Sequence, residues 1–133
     1  MREPEDTTWT DDVDEPRRWA LTAARAADAK QGRDVLVLQV GEVLALCEWF
    51  VIASGSNDRQ VRAIAEEVEA QVHAAGGPKP QRVEGLGDLR WVLMDYGDLV
   101  VHVFRQEDRE FYELERLWAD VPSLDWAEER ARA

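Results

Sequence analysis

Asp95, Tyr96, Gly97 and Asp98 put two carboxylates and a phenol into four consecutive residues. Paired carboxylates could hold a divalent cation or meet basic side chains. Apolar residues 91–94 and 99–104 flank the segment. A glycine between them tolerates the positive φ of a tight turn, so the pattern predicts a β-hairpin. At such a turn, capping or contact with a partner accounts for the acids better than metal binding. A tyrosine at the tip, near Trp91, places aromatic surface where the turn itself does not require it. Exposed Trp and Tyr are frequent anchors of protein interfaces, although Trp91 reads equally well as core. Both strands are apolar at successive positions, which predicts a hairpin inside a sheet covered on both faces.

Other residues offer chemistry less readily. Ser54-Gly55-Ser56 lies where a strand should turn into a helix, a place suited to an anion or to plain capping. The full glycine-rich phosphate motifs are absent. Nucleotidyl transfer would need paired metal-binding carboxylates beside that turn, and the following strand offers only Glu84. His73 and His102 are far apart in the sequence, and Cys47 is the single cysteine. They make neither a metal cluster nor a persuasive triad, and His102 reads as a hydrogen-bonded sheet residue. Arg59 and Gln60 could read an anion or solvate a helix start. The expectation is a protein that is not an enzyme, with no catalytic residues, metal or cofactor.

The elements that must position these residues follow from periodicity. Pro16 suits the first turn of a helix ending before Gly32, with a small face of Ala20, Ala23, Ala24 and Ala27. Residues 35–40 and 49–53 read as strands, with a short helical turn between 41 and 48. Val61, Ile64, Ala65, Val68 and Val72 make one apolar helical stripe. Asn57 and Gln60 can cap its start, and Gly76-Gly77-Pro78 stops it. Residues 81–84 are a weak strand, and 107–118 a last helix with Phe111, Leu114 and Trp118 on one face. The order predicts a mixed five-stranded sheet flanked by helices, an α/β domain. Residues 1–13 read as a disordered acidic tail, 14–122 as the domain and 123–133 as a C-terminal tail.

Charge narrows the function. The 133 residues carry a net charge of −12, with seven acids against one Arg in residues 1–15 and nine against four in 107–133. No basic stripe exists to follow a phosphate backbone, so direct nucleic-acid readout is not expected. Acidic surface steers towards basic partners, or simply keeps a protein soluble. No apolar run reaches the roughly 20 residues of a membrane span, and one cysteine suits a reducing, cytoplasmic setting.

Several segments resemble the ribosomal silencing factor S family, also called Iojap-like proteins. They are Trp49-Phe50-Val51-Ile52-Ala53-Ser54-Gly55-Ser56, Arg59-Gln60-Val61, Trp91-Val92-Leu93-Met94-Asp95-Tyr96-Gly97-Asp98, Val100-Val101-His102-Val103-Phe104, and Tyr112-Glu113-Leu114-Glu115-Arg116-Leu117-Trp118. The likeness covers residues 19–120. It departs at Glu48-Trp49-Phe50, where the family has Asp-Tyr-Phe, at Gln39, where it has Asp, and at Gln31, where it has Lys. The resemblance implies a nucleotidyltransferase-like fold without the catalytic carboxylates. It implies binding to ribosomal protein L-fourteen of the large subunit, which blocks subunit association and represses translation, chiefly under nutrient limitation. Carried over by position, the partner surface is Trp91, Met94, Asp95, Tyr96, Gly97 and Asp98, and the free protein is a homodimer.

Overall fold

The computed structural model describes residues 15–41, 47–111 and 114–127. The expected disorder of residues 1–13 and the helical turn expected between 41 and 48 fall largely or wholly outside them.

Helix α1 (Glu15–Ala29) buries Trp19, Leu21 and five alanines. Small side chains let its axis approach the sheet closely, as the alanine face predicts. Helix α2 (Asp58–Ala74) buries the whole expected stripe of Val61, Ile64, Ala65, Val68 and Val72. Asn57 caps it, its side chain accepting from the Gln60 N–H at 2.9 Å. Both helices cover one face of the sheet, where they share a core with Val37, Val51, Val101 and Val103.

Among the described residues six strands form that sheet: β1 (Arg33–Gln39), β2 (Trp49–Gly55), β3 (Arg82–Glu84), β4 (Trp91–Asp95), β5 (Leu99–Arg105) and β6 (Ser123–Leu124). Their spatial order is β3-β4-β5-β2-β1-β6. Only β2 and β5 pair in parallel; the other ladders are antiparallel. The sixth strand lies beyond residue 122, in the segment expected to be a tail. Leu124 pairs with Val37, and the Trp126 indole donates to the Val35 carbonyl at 2.9 Å. Two residues of strand are too few to show a period, which is why the pattern missed them.

Among the described residues the second face is covered only in part. Leu38, Val40, Cys47, Phe50, Ile52 and Phe104 form its core, closed by Trp118 and Val121. Short helices α3 (Gln106–Phe111) and α4 (Leu114–Leu117) replace the described parts of the single helix expected over 107–118. Phe111 is 76% exposed rather than on a buried face, while the Leu114 side chain lies outside the described residues. Buried Arg109 ties α3 to the sheet by donating to the Ser54 hydroxyl at 2.7 Å.

Gly85 leads out of β3 with φ of +93°, and a Cβ there would collide with the Trp91 carbonyl oxygen. Gly85→Ala should therefore cost about 1–3 kcal/mol and disturb the entry to β4. Urea unfolding checks this; a loss below roughly 0.5 kcal/mol, the range of a neutral surface change, would contradict it.

Candidate functional site

The hairpin forms as its sequence predicts. Tyr96 N–H donates to the Leu99 carbonyl at 2.8 Å, closing the turn, and Gly97 has φ of +96°. The Asp95 carboxylate accepts from the Gly97 N–H at 2.9 Å, so one of the two acids caps the turn. The Asp98 carbonyl accepts from the N–H groups of Glu48 and Trp49, fastening the tip to the start of β2. The Asp98 side chain remains exposed.

The strand pleat divides the six candidate residues between two faces. Successive side chains of a strand point to opposite sides. Val92, Met94 and Tyr96 turn into the helix-side core, with Met94 and Tyr96 1% and 8% exposed. Trp91, Leu93 and Asp95 take the other side, opposite Phe104, His102 and Val100 of β5. Nothing among the described residues covers this part of the sheet as the helices cover its back, and Trp91 is 52% exposed. The expectation of a hairpin covered on both faces is thus corrected. Apolar residues on both faces of β4 concealed the alternation.

Tyr96 changes role accordingly. It offers no aromatic surface at the tip; its ring fills the core, near Trp19 and Leu99 at the edge of an open hollow of about 590 Å³. Its hydroxyl is buried without a hydrogen-bond partner. Burial chiefly, with the Glu69 carboxylate, raises the phenol above its ordinary range. Met94 is likewise core rather than contact surface.

The open face has its own order. The Trp91 ring lies 5.1 Å from Phe104 and 6.0 Å from His102, and its indole N–H donates to His102 Nδ1 at 3.1 Å. His102 is itself buried, its ring 4.5 Å from Phe50. Burial lowers its pKa to about 4. From β3, Arg82 and Glu84 pair at 3.2 Å, and Arg82 lies 3.7 Å from Asp95. An exposed indole on a firm aromatic base, with Glu84 opposite Leu93 and Arg82 opposite Asp95 on the same face, suits a flat protein contact with charged groups at its edge. Leu93, His102 and Phe104 were not singled out for this face; stepping by two from Trp91 finds the strand partners.

The remaining candidates do not assemble into a site. Glu84 stands on edge strand β3, with β4 and β5 between it and the Ser54-Gly55-Ser56 turn of β2. Ser54 is fully buried against Arg109. Ser56 donates both its N–H and its hydroxyl to Gln60 Oε1, so the turn is engaged in capping. Gln60 also donates to the carbonyls of Lys30 and Gln31, linking the end of α1 to the start of α2. Arg59 is exposed at that start. Cys47 is buried, which raises its thiol pKa. Among the described residues no three His, Cys, Asp or Glu side chains group as a metal site. No helix of the described residues is long and apolar enough to cross a membrane.

Residues 13–133 match the family model described as ribosomal silencing factor during starvation. The chain belongs to this family. A ribosomal silencing factor RsfS of Bacillus subtilis is 42% identical over 103 residues, covering 77% of this chain and 86% of that one. Protein Iojap of Zea mays chloroplasts is 30% identical over 128 residues, covering 92% of this chain and 53% of that one. The crystal structure of a Chromobacterium violaceum protein superimposes with a TM-score of 0.72 at 32% identity, over 78% of this chain and 86% of its own. The single open mixed sheet flanked by helices is therefore the family's fold. The family description is that of a translational regulator rather than of a catalyst.

Two predictions follow from burial. Tyr96→Ala should cost roughly 3–5 kcal/mol of stability, like other aromatic truncations in a core. Tyr96→Phe should be neutral or stabilise by about 1 kcal/mol, because it deletes a buried hydroxyl without a partner. Urea unfolding of both variants checks the pair, and equal small losses would show that the ring is not core.

The second concerns His102. Its folded pKa of about 4 lies below the ordinary value of 6.5, so between those values the unfolded chain binds the extra proton. Its contribution is thus complete above pH 6.5 and is lost as pH falls towards 4. Between pH 7 and 5 wild type should lose about 2 kcal/mol more than His102→Asn. Parallel stability curves for the two proteins would contradict the assignment.

Proposed function

We propose that this protein silences translation by binding ribosomal protein L-fourteen on the large subunit, so that the small subunit cannot join. The contact is made by the open face of β3, β4 and β5 and the rim of the hairpin. Trp91 is the apolar anchor, Asp95 and Asp98 meet basic side chains, and Gly97 lets the rim approach closely. Met94 and Tyr96 support the surface from the core. The action is steric exclusion in the cytoplasm, chiefly under nutrient limitation, and needs no catalysis, cofactor or nucleic-acid readout. In the free protein the same face pairs with that of a second copy.

The single observation that carries this reading is the half-exposed Trp91 indole on an otherwise ordered sheet face. A rigid aromatic group buries large area at little ordering cost, the usual property of an interface anchor. Acidic rim residues and the net charge of −12 favour a basic partner surface.

Trp91→Ala should weaken large-subunit binding by ~2 kcal/mol, about thirtyfold. It should also lower stability, because the indole packs on Phe104 and bonds His102, so thermal unfolding first confirms that the variant is folded. Asp98→Lys should also weaken binding, with a smaller defect at high salt. Co-sedimentation with large subunits and light scattering of subunit joining measure both. If the two folded variants block joining as well as wild type, the contact lies elsewhere.

A further inference from the structure

We propose that His102 is a positioning residue for the binding surface: its Nδ1 holds the Trp91 indole flat against β5 before any partner arrives. This inference rests on the reading of Trp91 as the anchor. A half-exposed tryptophan on a sheet would ordinarily sample several rotamers. Here the indole N–H has a fixed acceptor, His102 Nδ1, at 3.1 Å, while the ring lies 5.1 Å from Phe104 at an interplanar angle of 32°. The acceptor is itself immobilised. His102 meets Phe50 edge-on at 4.5 Å, and Phe50 meets Trp118 edge-on at 5.1 Å. A chain of rings thus runs from the C-terminal segment to the exposed anchor.

The chemistry of the imidazole agrees with this role. Accepting at Nδ1 requires an unprotonated nitrogen there, which places the single ring proton of neutral His102 on Nε2. Nε2 is buried without a hydrogen-bond partner. An apolar residue at position 102 would avoid that cost, so the histidine is poorly explained as core packing alone. The acceptor for Trp91 explains it. Because burial keeps the ring neutral down to about pH 4, the acceptor is permanent at neutral pH rather than a switch.

Fixing the anchor in advance removes the ordering cost of one side chain on binding, equivalent to a few-fold to about tenfold in affinity. The test compares wild type with His102→Leu, which keeps apolar volume but removes the acceptor, and His102→Asn, whose amide oxygen can stand near the Nδ1 position. Nuclear magnetic resonance of the free protein reads solvent exchange of the Trp91 indole N–H, assigned by Trp91→Phe. Large-subunit co-sedimentation reads affinity, and thermal unfolding confirms that each variant is folded. The expected result is slow indole exchange in wild type and His102→Asn, fast exchange in folded His102→Leu, and a three- to tenfold affinity loss in His102→Leu that His102→Asn restores. Unchanged indole exchange in folded His102→Leu overturns the proposal. So does unchanged affinity of that variant when Trp91→Ala binds weakly. Full affinity of Trp91→Ala would instead overturn the reading of the interface, while the exchange measurement still decides whether His102 holds the ring.

Discussion

The pleat of β4 against β5 is the constraint on which the rest of this structure depends. The register places Trp91 opposite Phe104, Leu93 opposite His102 and Asp95 opposite Val100. Slipping it by one residue would send Trp91 into the helix-side core and Tyr96 out to solvent. Several features hold the register. Gly97 permits the turn, Asp95 caps it, and the Asp98 carbonyl is anchored by two N–H groups at the start of β2. On the far side, β2 pairs with β5 along the whole length of both strands. The exposed indole is therefore a consequence of a well-defended ladder rather than of a loose edge.

Coverage of the two sheet faces is unequal, and that inequality makes the surface. Helices α1 and α2 close one face with small and β-branched residues. Among the described residues the other face receives only a short C-terminal segment, whose Trp118 and Val121 reach Phe50 and its neighbours. The β3–β4 side consequently presents Trp91 and Leu93 between charged residues. The edge strands are short, three residues in β3 and two in β6, which limits strand addition by other chains. Contact through the flat face suits this architecture better than contact through an edge.

Much of the fold is legible in the sequence because its signals are local. The stripe from Val61 to Val72, the Asn57 cap and the glycine of the hairpin each fix one element. The site is legible only in part. Residues 91–98 mark the segment that carries the exposed Trp91, but the assignment of Tyr96 to an exposed tip failed. Val92, Leu93 and Met94 are all apolar, so the period of two leaves no trace in polarity, and burial depends on where the helices lie. Leu93 escapes notice for the same reason, and His102 is legible as a hydrogen-bonded sheet residue but not as the neighbour of Trp91, because that placement comes from register, a non-local property. Strand β6 is invisible because its partner, β1, lies more than eighty residues earlier in the chain.

The central claim is that the open face of β3, β4 and β5 is the surface applied to the large subunit. An electron cryomicroscopy map of the protein bound to isolated large subunits tests it most directly. The account predicts that the Trp91 indole lies buried against ribosomal protein L-fourteen, with Asp95 and Asp98 at the rim and helices α1 and α2 turned away. A complex in which α1 and α2 face the subunit, with Trp91 in solvent, would contradict it.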